Sequence, residues 1–168
     1  MELRKAEMSD LVQLKSVFTE IVEEMTRSCN GRIWNDYYPC ELFEDDIKRS
    51  ELYVLTDNDI IVSAFVLCGT NEAENYIEWE DKNAKVLYID RFGVNVNYQH
   101  KGIAGKMLQL ASDTGKENGA EYLRLFVVDR NLPAVNLYIK NGFNRKNGIY
   151  KEDIGYEVLT EFGFEKKI

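Results

Sequence analysis

Between Val94 and Lys106 the chain reads Val-Asn-Val-Asn-Tyr-Gln-His-Lys-Gly-Ile-Ala-Gly-Lys, a strand that breaks into a glycine turn and opens a helix. The residues before it, Lys85 to Gly93, are rich in β-formers, and those after it, Met107 to Ala111, are strong helix formers. A helix that starts on small residues leaves backbone N–H groups unpaired at the positive end of its dipole. That arrangement binds phosphate.

Spacing narrows the ligand. A nucleoside-triphosphate loop needs a glycine five positions before its Gly-Lys pair and a Ser or Thr after it, but Gly105-Lys106 has His100 and Met107 there. A dinucleotide fingerprint needs three glycines, and Gly102 and Gly105 supply two in the wrong register. The pattern that fits is Gln-x-x-Gly-x-Ala, from Gln99 to Ala104. Downstream, a strand-like Tyr122 to Val128 is followed by Asn131, Ala134, Tyr138 and Gly142-Phe143. On these two motifs, in this order, the chain resembles the GNAT superfamily of acyl-CoA N-acyltransferases, with specific motifs from about Tyr88 to Phe143.

The remaining sequence is consistent with one α/β domain spanning 1–168. A chain of 168 residues, 45% hydrophobic and 30% charged, can bury one good core. There is no run of 18 apolar residues, and Met1 to Lys5 lacks the apolar stretch of a signal peptide, so a soluble, cytoplasmic protein is expected. Three scattered cysteines, Cys29, Cys40 and Cys68, and a single histidine, His100, give no metal-binding spacing, while a Cys29–Cys40 bridge stays open.

Along the chain, Leu3 to Ala6 reads as a strand. Ser9 or Asp10 caps a helix carrying Leu11, Leu14, Val17, Phe18, Ile21, Val22 and Met25 at helical spacing. An aromatic stretch, Trp34 to Pro39, and an acidic helix near Glu44 to Ser50 precede a hairpin, Leu52–Thr56 with Ile60–Cys68, turning at Asp57-Asn58-Asp59. An acidic loop, Gly69 to Asn83, leads to strand Val86–Val94, and a helix from Gly102 to about Asn118 ends at Gly119. After the Tyr122 strand and the Ala134 helix, alternation between Gly148 and Phe164 suggests a closing strand pair. The resemblance implies that these elements build a central mixed, mostly antiparallel sheet, splayed between its fourth and fifth strands and flanked by helices.

It also implies an N-acetyltransferase using acetyl-CoA and releasing coenzyme A. A chain of net charge −8 repels phosphate unless positive potential is concentrated locally. The turn supplies that through the backbone of Gln99, His100, Lys101, Gly102, Ile103, Ala104, Gly105 and Lys106, with the two lysines as nearby cations. By the family match the pantetheine arm pairs like a strand with Phe92 to Val96, and the amide of Val94 stabilises the oxyanion formed when an amine attacks the thioester. Gly93 either permits a bulge or yields to neighbouring packing. Asn131 matches a cofactor contact, and it is equally a helix N-cap ahead of Pro133.

Tyr138 matches the residue that protonates the departing thiolate, for which a phenol of pKa near 10 is suited. It can equally be a core aromatic beside Ala134 and Leu137. The base is a carboxylate or a water chain, with Asp90 ahead of Glu78 and Glu80. Asp90 could instead form a structural ion pair with Arg91, Arg124 or Arg130.

Family members differ in acceptor, so fold and cofactor do not name it. Trp34–Pro39 and the loop bearing Glu72, Glu74, Glu78, Glu80 and Asp81 are the expected acceptor walls, and their charge favours a small cationic amine over a protein N-terminus or lysine. A non-catalytic acyl-CoA-binding module is disfavoured by Tyr138. A nucleic-acid partner is disfavoured by an isoelectric point near 4.8. No membrane partner is expected, and a homodimer stays open.

Overall fold

The computed structural model describes residues 1–29, 31–35 and 37–168. Its elements run β1 (Glu2–Lys5), α1 (Leu11–Ser28), α2 (Phe43–Lys48), β2 (Leu52–Asp57), β3 (Ile60–Cys68), β4 (Ile77–Glu78), β5 (Val86–Val94), α3 (Ile103–Glu117), β6 (Tyr122–Val128), α4 (Leu132–Lys140), β7 (Asn144–Arg145), β8 (Asn147–Gly148), β9 (Tyr150–Asp153) and β10 (Val158–Lys167). Contacts divide the chain into two units, Met1–Leu67 with Arg91–Ala111, and Cys68–Asp90 with Ser112–Ile168.

In the first unit β1, β2 and β3 pair antiparallel in sequence. The expected hairpin forms because Asn58 and Asp59 both take left-handed backbone, φ 48° and 67°, which matches the turn twist to the strands. Helix α1 buries Leu14, Val17, Phe18 and Ile21. Phe18 packs edge-on to Phe43 at 4.8 Å and stacks with Trp34 at 6.2 Å, so the aromatic stretch is part of this core. A Cβ on Gly93 would lie 2.8 Å from the Phe18 ring and 2.9 Å from Ile21. Packing against α1 therefore requires that glycine. The left-handed residue of this strand is instead Arg91, φ 47°, whose side chain makes a two-bond ion pair to Asp46, the two residues at 9% and 0% exposure.

In the second unit β5 runs parallel to β6, but the pairing covers only Val86–Tyr122 to Tyr88–Arg124. β6 pairs antiparallel with β10 from Tyr122–Lys167 to Val128–Glu161, and β10 also pairs with β9 and β7. The closing strand pair is β9 with β10. The alternation identified that strand but not its burial, which takes Leu159, Gly163 and Glu165 on one face and Phe164 on the other. Two-residue strands β4 and β8 pair within what reads from sequence as loop. Arg124, fully buried, bonds Glu165 at 2.8 Å and lies over the Trp79 ring at 4.5 Å. The result is an α/β fold with a mixed, mostly antiparallel sheet and flanking helices. All three cysteines are free.

Candidate active site

The chain leaves β5 through Asn95, which is 7% exposed and anchored on both sides. Its N–H donates to the Val62 carbonyl at 2.9 Å, its Nδ2 to the Ile61 carbonyl at 3.0 Å, and its Oδ1 accepts from the Asn97 N–H. These bonds turn the backbone into a single 3₁₀ turn, Val96–Tyr98. The strand segment available to an extended ligand is therefore Phe92–Val94. Val96, expected to extend it, lies in the turn.

The turn then takes left-handed backbone twice, at His100 (φ 59°) and Gly102 (φ 76°), before α3 begins. The first helical bond runs from the Lys106 N–H to the Gly102 carbonyl at 3.2 Å. The amides of His100 through Gly105 have no protein acceptor among the described residues. Left-handed residues interleaved with right-handed ones direct successive amides into one concavity, a nest for an anion. A Cβ on Gly102 would meet nothing within 4 Å, so the space in front of the turn is open. Buried Ile103, Met107, Leu108 and Ala111 fix α3 behind it. Lys101 folds back, donating to the Asn97 carbonyl at 3.0 Å and lying over the Tyr98 ring at 4.9 Å, while Lys106 is exposed. The residue set fits a pyrophosphate.

In the second unit Asn131 caps α4, its Oδ1 accepting from the Ala134 N–H at 3.3 Å, so the N-cap reading is realised. Tyr138 is 8% exposed, with its ring 5.9 Å from Phe143 and 6.3 Å from Phe164. The core-aromatic reading thus describes the ring. The hydroxyl has no hydrogen-bond partner among the described residues. Burial, and secondarily the Asp90 carboxylate, hold this phenol above its ordinary range, so it stays protonated at neutral pH.

The arginines considered for Asp90 each bind another carboxylate: Arg91 binds Asp46, Arg124 binds Glu165 and Glu74, and Arg130 binds Glu157. Most of the acidic loop is likewise engaged. Glu80 pairs with Lys146 at 2.7 Å, which keeps its carboxyl below the usual range, Glu78 accepts from Asn147, and Asp81 accepts from the Asn83 N–H. On the other expected wall, Asn35 Oδ1 accepts from the amides of Tyr37 and Tyr38, and Asp36 lies outside the described residues.

Two carboxylates not foreseen from sequence join Asp90. Burial first, then Glu152, Asp90 and Glu72, push Glu161 up to about 8, and burial with Glu72 and Asp90 raises Glu152. The available signal was an acid at the parity of Leu159 and Gly163 on β10, and it becomes informative only once the buried face is known.

A family model for the GNAT acetyltransferases matches residues 18–143. Among solved structures, a GNAT-family acetyltransferase from Streptococcus agalactiae 2603 superposes with a TM-score of 0.83 at 17% identity, over 99% of this chain and 95% of that one. PaiA N-acetyltransferase from Thermoplasma acidophilum, solved with coenzyme A, gives 0.71 at 21% identity over 99% and 98%. An N-acetyltransferase from Staphylococcus aureus Mu50 gives 0.68 at 18% identity over 99% and 97%. No curated protein matches the chain at a significant level. The family match covers the turn, Tyr138 and the strands that carry them, and the chain belongs to the GNAT family of acetyltransferases, enzymes that draw their acetyl group from acetyl-CoA.

Proposed function

We propose that residues 1–168 act as one transferase domain that moves the acetyl group of acetyl-CoA to a primary amine, a small cationic one, in the cytoplasm. The observation that carries this reading is the turn at His100–Gly105, with unpaired amides facing open space at Gly102. Acetyl-CoA, when bound, supplies the activated thioester. The amides of Gln99 to Gly105 hold its pyrophosphate, with Lys106 nearby, and Phe92–Val94 offers strand backbone to the pantetheine arm. The Val94 N–H meets the negative charge that develops on the carbonyl oxygen, and Asn131 contacts the cofactor from the cap of α4. Tyr138 donates its hydroxyl proton to the departing sulfur, a role its raised pKa preserves across neutral pH. The carboxylates around Asp90 attract the acceptor ammonium and take its proton. Among the described residues no helix is long and apolar enough to cross a membrane.

An amine panel with thiol detection tests this. Release of coenzyme A with diamines, polyamines or aminoglycosides is the expected result. Thiol release only with peptides would move the acceptor to a protein N-terminus or lysine, and cofactor binding with no turnover would make the protein a binding module.

A further inference from the structure

We propose that Glu161 is the base that takes the proton from the acceptor ammonium, with Glu152 beside it on the same face of the strand pair. This rests on the acetyltransferase reading above and names the acceptor end of the same reaction.

The strand register places the group. In the β9–β10 ladder Glu161 stands opposite Tyr150 and Leu159 opposite Glu152. Opposed residues share a face, as do residues two apart, so Tyr150, Glu152 and Glu161 lie on one face, with the two carboxylates diagonal neighbours about 7 Å apart at the backbone. The Tyr150 hydroxyl donates to Glu72 at 3.4 Å, which brings a third carboxylate to that face. Asp90, from β5, is the fourth, acting on both Glu152 and Glu161. Neither Glu161 nor Glu152 has a hydrogen bond or ion pair among the described residues. Carboxylates that accept no bond from the protein are left to solvent or to a donor from outside.

Among the described residues the charges that act on Glu161 are those of carboxylates. Its partner across β6 is Val128, and nearby Arg130 is bound to Glu157. An independent feature points to the same place. Tyr138, nine-tenths buried on α4, has an unpartnered hydroxyl in the field of the same Asp90 carboxylate.

The proton balance closes with these groups. Glu161, as carboxylate, takes one proton from R–NH3⁺, and the free amine forms its C–N bond to the thioester carbon as the C–S bond breaks. Tyr138 gives its proton to the sulfur, and the second proton leaving nitrogen returns to the phenolate through water. Glu161 then releases its proton to solvent, which leaves amide, thiol and one H⁺.

The test compares wild type, Glu161→Gln and Glu161→Asp with acetyl-CoA and a panel of a diamine, a polyamine, an aminoglycoside and a dipeptide amide, recording kcat/KM from pH 6 to 10. The wild-type profile is expected to rise through about pH 8. Glu161→Gln should lose that limb and roughly 10²-fold or more in kcat/KM, the usual contribution of proton transfer. Its acetyl-CoA affinity by calorimetry should be unchanged, and Glu161→Asp should restore the limb. A second readout needs no ligand: the melting temperature of Glu161→Gln should gain on wild type as pH passes from 6 to 9. An active wild type with an unaltered Glu161→Gln profile overturns this assignment alone, as does a loss of rate with the limb intact. A wild type inactive on the whole panel overturns the acetyltransferase reading and this inference with it.

Discussion

Gly102 combines two properties that different experiments can separate. Its φ of 76° strains any side chain, and the place its Cβ would occupy is the open space before the amides. Gly102→Val is therefore expected to weaken acetyl-CoA binding by calorimetry at least tenfold. A variant of full affinity would remove the phosphate assignment. For Tyr138 the ring is packing, and the proposed chemistry rests on the hydroxyl alone. Tyr138→Phe should keep cofactor affinity and melting temperature, because the deleted group bonds nothing in the protein, while turnover falls roughly 10²-fold. Unchanged turnover would leave only the core-aromatic role. Glu161 links activity to stability. Its folded pKa of about 8 lies above the ordinary value of 4.5, so the fold favours its protonated form. That stabilisation is complete below about pH 4.5 and is lost as pH rises through about 8. Each kcal/mol so lost is worth roughly 2–4 °C in a domain of this size, readable by scanning calorimetry against Glu161→Gln.

At the scale of elements, the end of β5 is shaped by two contacts with residues far away in sequence. Arg91 holds its left-handed backbone through buried Asp46, and Gly93 lies under Phe18 and Ile21. Replacing Arg91 by Ala takes a two-bond partner from a fully buried carboxylate that also pairs with part-exposed Arg49, and should cost about 3 kcal/mol in denaturant titration. Gly93→Val should cost about 1–3 kcal/mol by overpacking. The elements themselves were largely legible. Glycine at 119 ended α3, and the Asp57-Asn58-Asp59 cluster turned the hairpin, because helix ends and tight turns are local chemistry. The left-handed residue of β5 was not. Arg91 takes a conformation its own sequence disfavours because a partner 45 residues away over-determines it.

For the whole molecule, a charge of −8 is a field, and its effect depends on where it is left uncompensated. If unpaired carboxylates receive the acceptor, kcat/KM for a polyamine should fall more steeply with ionic strength than for a neutral monoamine. Equal salt slopes would make the acidic composition a solvated surface. The sequence by itself determined the glycine turn, the strand-to-helix order around it and the tyrosine on the following helix, since each is written within a span of a few residues. Only the tertiary structure decided which acids remain free. Glu74, Glu78 and Glu80 look available in the sequence and are taken by Arg124, Asn147 and Lys146, whereas Glu161 reads as one letter of an alternating strand. The pairings lie tens of residues apart, and strand register, with the burial that follows from it, places Glu161 among like charges.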